Sequence, residues 1–105
     1  MTTHRKEKLA SVYKKLAGDF LNQESNRQSM PTITDALVSN DGRSVHILLT
    51  VLPEKKTQAV LDFLNRNKKE FGFYVKKNSR IGRLPRFDFL VDKGEYNRQA
   101  LDLIE

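Results

Sequence analysis

The chain contains no cysteine and no tryptophan. Without thiols there is no disulfide staple and no thiolate metal site, a composition that suits a reducing compartment. Histidine is almost as scarce: His4 and His46 are the two present, and they do not stand at a metal-ligand spacing from one another. Long apolar runs are missing as well. No stretch approaches the ~20 consecutive apolar residues of a membrane span. No continuous apolar block follows the basic start at Arg5, Lys6 and Lys8, so no secretory signal is expected and the cytoplasm is the expected location. Glycines are few, and Gly72 and Gly82 have neither the spacing nor the Gly-Lys-Ser/Thr ending of a phosphate-cradling loop. The carboxylates Asp35, Asp41, Asp88 and Asp92 are scattered over strands and turns, with no two set up as acid and base. No catalytic set is visible, so the expectation is a protein that is not an enzyme, with no cofactor and no small-molecule substrate.

What is present fits one domain spanning residues 1–105, too short for two. The apolar supply, 38% of residues with six Phe and three Tyr, is enough for a single core. Nineteen Lys and Arg against thirteen Asp and Glu give a net charge of +6. Such a balance fits a polyanionic partner, and net charge alone leaves plain solubility equally open.

Residues 4–23 place Leu9, Val12, Tyr13, Leu16, Phe20 and Leu21 at offsets of three and four, which predicts an amphipathic helix. A wholly polar connection over 24–29 follows. Residues 32–39, led by Pro31, and residues 43–52 read as strands around an Asn40-Asp41-Gly42 turn, an antiparallel hairpin. In the second strand Val45, Ile47, Leu49 and Val51 face one way, and Ser44, His46, Leu48 and Thr50 the other. Helical spacing returns after Pro53 with Ala59, Val60, Phe63 and Leu64. A break near Gly72 and a second helix to about Arg80 are expected. Phe87, Phe89 and Val91 alternate with Arg86, Asp88 and Asp92 as a third strand. Lys93-Gly94 then turns the chain into a closing helix with Ala100, Leu101 and Ile104 on its apolar side. This order predicts an α+β domain: a three-stranded sheet covered on one face by helices, its other face polar enough to meet water.

The charge is concentrated. Arg66, Lys68, Lys69, Lys76, Lys77, Arg80, Arg83 and Arg86 are opposed over that stretch by Glu70 alone, with Phe71, Phe73 and Tyr74 interleaved. Lysine and arginine neutralise phosphates and release counterions, and exposed aromatic faces stack on unpaired bases. Phe71 and Phe73 are read here as core residues, one or both anchoring the break, and the cations as the functional face. His46 is read as a hydrogen-bonded structural histidine.

Several strings taken in order resemble the ribosome-binding factor A family. They are a basic-led helix over residues 5–20, the turn Val38-Ser39-Asn40-Asp41, the segment Leu84-Pro85-Arg86-Phe87-Asp88-Phe89 followed by Asp92, and a closing helix with Arg98, Leu101 and Ile104. The resemblance implies a type-II KH-like fold of order α-β-β-α(kink)α-β-α. No Gly-x-x-Gly loop is present; the family's Ala-x-Gly kink corresponds to Glu70-Phe71-Gly72, which keeps the glycine and puts a carboxylate in place of the small residue. The implied role is non-catalytic: a monomer that binds the immature small ribosomal subunit and its ribosomal RNA and aids maturation, without a membrane. The contacts expected are Lys68, Lys69, Gly72, Lys76, Lys77, Arg80 and Arg83, with Arg5 and Lys8 as additions, the lysines and arginines acting by phosphate neutralisation and positioning. A general single-stranded RNA binder and a protein-interaction module for an acidic partner are the competing readings.

Overall fold

Apolar residues at helical offsets wind the first segment into α1 (Thr2–Glu24), and the face they share is the one the protein buries. Tyr13, Leu16, Phe20 and Leu21 are buried, and Ala10 and Ala17 let the helix lie close to what it covers. The computed structural model describes residues 2–24 and 29–94, with the side chains of residues 2–5 and 24 left out of the description.

The expected hairpin forms from β1 (Met30–Val38) and β2 (Ser44–Leu52), paired antiparallel. Pro31 lies within β1, an edge strand, where a missing N–H is tolerated. Residues 39–44 form a tightly bonded turn. Gly42 takes the left-handed φ of 74° that a side chain would resist. Its N–H donates to the Ser39 carbonyl at 3.0 Å. Asp41 Oδ1 accepts from the Ser39 hydroxyl at 2.7 Å and from the Arg43 N–H at 2.9 Å. Ser39, though buried, is therefore satisfied on both sides, since its Oγ also accepts from the Ser44 N–H.

Val45, Ile47, Leu49 and Val51 are buried toward the core, as their alternation predicts. The opposite sheet face departs from the expected polarity. Leu37 and Leu48 are each only 3% exposed there and pack with Leu90 as a second, small apolar cluster. Register explains the grouping. Leu48 faces Leu90 on β3 (Arg86–Val91), while Leu37 lies diagonally across from Leu48, opposite His46. A bulge between Ile33 and Asp35 frees Thr34, whose hydroxyl donates to Asp92.

β3 pairs with β2 in parallel, so the sheet is mixed, in the order β1-β2-β3. Its parallel direction requires a crossover, supplied by a 3₁₀ turn at Glu54–Lys56, then α2 (Thr57–Arg66) and α3 (Lys68–Asn78). The break between the helices falls at Asn67, not near Gly72. Asn67 leaves helical geometry at φ −108°, ψ 26°. Its side-chain amide donates to the Phe63 carbonyl at 2.7 Å, the same carbonyl that accepts its own backbone N–H. A side chain that competes for the helical acceptor weakens and bends the helix at that point. Gly72 instead sits inside α3, buried, where an added Cβ would meet Leu84 Cδ1 at 3.4 Å. The helix closes at Asn78, two residues before the expected end. Here the Ser79 hydroxyl donates to the Val75 carbonyl at 2.6 Å.

The core lies between the helices and one sheet face. Phe71 is fully buried at its centre, edge-on to Phe20, Phe87 and Phe89 with ring centroids 5.4, 4.7 and 5.5 Å away. Each such pair contributes about 0.5–1.5 kcal/mol beyond burial. Beyond β3 the expected turn is present: Gly94 has φ 77°, and its N–H donates to Asp92 Oδ1 at 2.8 Å. The expected closing helix with Arg98, Ala100, Leu101 and Ile104 lies outside the described residues.

Candidate nucleic-acid interface

α3 buries Phe71, Gly72 and Val75 on one side and presents Lys69, Phe73, Lys76 and Lys77 to solvent on the other. The two lysines in its last turn also sit where the helix dipole favours cations. Of the two phenylalanines expected at the break, Phe71 takes the core position and Phe73 does not, being 66% exposed. Gly72 is buried beneath Leu84, although Lys69 and Lys76, three before and four after it, are exposed.

Lys68 points elsewhere. Its ammonium donates to Asp88 Oδ1 at 2.6 Å, and the same carboxylate has Arg86 Nε at 3.6 Å and His46 Nε2 at 4.0 Å. Burial pushes the Asp88 carboxyl up, but the hydrogen bond and charge of Lys68, with help from Arg86 and His46, outweigh it and hold the group below its ordinary value. Lys68 is thus engaged by Asp88, and His46 lies beside the same carboxylate.

After α3 the chain carries Arg80 and Arg83 into an exposed loop, where they line an open groove of about 1080 Å³ with Lys6 and Arg43. Leu9, Tyr13, Ile81, Leu84 and Pro85 contribute its apolar lining. Lys6 Nζ donates to Asn40 Oδ1 at 2.8 Å, tying α1 to the hairpin turn at one wall. Asp41 is the carboxylate in this lining, and the Ser39 hydroxyl, then the Arg43 N–H, hold it below the usual range. Three chain segments far apart in sequence therefore bring four cations to one groove. Arg43 and Lys6 were missed in the sequence because only the tertiary fold sets the β1–β2 turn beside the loop after α3. Lys8 is exposed on α1, and the Arg5 side chain lies outside the described residues.

The arrangement suits binding of an extended anion. Among the described residues, no group of three or more His, Asp or Glu could hold a metal ion, and no helix is long and apolar enough to cross a membrane.

The sequence profile of the family described as ribosome-binding factor A matches residues 5–104. No curated protein sequence matches. The crystal structure of ribosome-binding factor A from Thermus thermophilus superposes with a TM-score of 0.72 at 21% identity, covering 82% of this chain and 94% of that one. A Thermotoga maritima protein described as a putative ribosome-binding factor A, solved by NMR, gives a TM-score of 0.71 at 29% identity, covering 89% and 92%. The three-stranded mixed sheet with its helices is thus the KH-like fold of these structures.

Proposed function

The chain belongs to the ribosome-binding factor A family, and on that premise we propose that it is a non-catalytic assembly factor that binds the small ribosomal subunit through its ribosomal RNA. The observation that carries the reading is the clustering of exposed cations on one element and the loop that follows it. Lys69, Lys76 and Lys77 stand on α3, and Arg80 and Arg83 follow in the groove with Arg43 and Lys6. Lys8 adds charge from α1. These side chains neutralise phosphates and position the RNA, and the shape of the folded RNA supplies the selectivity that phosphate contacts lack. The protein acts as a monomer in the cytoplasm, with no small-molecule substrate.

Sedimentation of cell extract through a sucrose gradient tests this reading. The protein is expected with free small subunits and absent from translating ribosomes. A profile confined to the subunit-free fractions, even at low salt, would overturn it.

A further inference from the structure

Phe73 is the large apolar residue on α3 that the core does not claim. Its side chain is 66% exposed, and among the described residues it takes no part in the ring contacts that join Phe20, Phe71, Tyr74, Phe87 and Phe89. The other exposed large apolar residues among those described, Met30 and Leu52, are register partners at the end of the hairpin away from its turn. Phe73 stands apart from that pair, on α3.

Its neighbours define what it suits. Residues three and four positions apart share a helix face. Lys69 is four before Phe73, Lys76 three after and Lys77 four after, and all are exposed. Glu70, three before, is the one carboxylate on this face. A protein-docking hot spot is a ring set among other apolar groups that exclude water. Phe73 is a ring set among ammonium groups, which matches a partner that is both aromatic and polyanionic. Unpaired RNA has that chemistry: each base offers a π-face, and each linkage a phosphate within reach of a lysine. In a duplex the base faces are stacked on one another and closed to a side chain.

We propose that Phe73 is a stacking residue for an unpaired base of RNA, with Lys69, Lys76 and Lys77 holding the flanking phosphates. The inference rests on the RNA-binding reading above and deepens it: α3 takes single-stranded RNA, and the ring contributes through the base while the lysines contribute through the backbone.

The experiment is fluorescence anisotropy with the full chain and a labelled oligouridine of about 12 nucleotides, a length within the usual site sizes for single strands. The same backbone without bases and a matched RNA duplex serve as comparisons. Phe73→Ala is expected to weaken oligouridine binding roughly tenfold. Phe73→Tyr keeps the ring and is expected to retain binding. On the abasic strand wild type and Phe73→Ala should bind alike, and the melting temperature should not move because the ring is exposed. The proposal is overturned if Phe73→Ala binds oligouridine as tightly as wild type, or loses as much on the abasic strand. If wild type binds oligouridine and Lys76→Ala with Lys77→Ala weakens it while Phe73→Ala does not, only the stacking role fails. If wild type binds neither single-stranded nor duplex RNA at low salt, the RNA-binding reading fails with it.

Discussion

Asn65 stands in for a neighbouring strand at Phe89. Its side-chain Oδ1 accepts from the Phe89 N–H at 3.1 Å and its Nδ2 donates to the Phe89 carbonyl at 3.2 Å. These two backbone groups point away from β2 on the open edge of β3, so one amide side chain closes both. Removing it exposes an edge that other chains could pair with. Asn65→Ala is expected to cost about 1–2 kcal/mol, the loss of two hydrogen bonds that water partly replaces at this edge. For a domain of this size that lowers the melting temperature by about 4–8 °C per kcal/mol. A thermal melt followed by circular dichroism measures it, and an unchanged midpoint would mean that water replaces the amide at no cost.

Gly72→Ala tests where the interhelical break lies. Gly72 is inside α3 with no left-handed φ, and its added methyl would meet only the tip of Leu84 at 3.4 Å. Alanine gains up to about 1 kcal/mol of helix propensity over glycine. The variant is expected to melt higher than wild type. A lower midpoint would return the break to Gly72.

Lys76→Ala combined with Lys77→Ala is expected to weaken binding to small subunits or ribosomal RNA while leaving the melting temperature nearly unchanged, because both side chains are exposed. With about five phosphates neutralised, the wild-type log–log dependence of affinity on salt should have a slope near −4. The double variant should be shallower by between one and two. Slopes that coincide would remove these lysines from the interface.

Glu70 shares the exposed face of α3 with Phe73 and opposes phosphate there. Glu70→Ala is therefore expected to tighten RNA binding severalfold at low salt, an advantage that shrinks as salt screens it. Equal affinities at every salt concentration would place Glu70 outside the contact.

Acid should destabilise the protein through its bonded carboxylates. The Ser39 hydroxyl lowers Asp41, and the Thr34 hydroxyl lowers Asp92. A carboxyl depressed in the folded state stabilises it fully above the ordinary aspartate value of about 3.9. That contribution is lost as pH falls through the depressed range. The melting temperature should hold from neutral pH to about 5 and fall below about 4, and Asp41→Asn should flatten the acid limb. A variant with the same acid limb as wild type would acquit Asp41.

The hairpin was legible because Asn40-Asp41-Gly42 and the alternation from Val45 to Val51 are local patterns whose period is that of the structure they form. The helix break was misplaced for a local reason as well. Glycine only weakens a helix, whereas the Asn67 side chain competes for the Phe63 carbonyl, a geometry that composition does not reveal. Phe73 passed for core because it adjoins Phe71, yet two positions along a helix is about 200° around its axis. The groove at Arg43, Lys6, Arg80 and Arg83 was out of reach, since its walls come from three segments joined only by the fold.

The parallel pairing of β2 with β3 also sets an order in time. The hairpin closes over a few residues, so its chain-entropy cost is small and it can form early. β3 has no such short route: it reaches β2 only once residues 53–85 have doubled back across the sheet. Phe87 and Phe89 arrive with it, and until they do Phe71 lacks two of its three ring partners. On a growing chain, the aromatic centre that joins α1, α3 and β3 is therefore completed only after β3 has been synthesised and has left the exit tunnel.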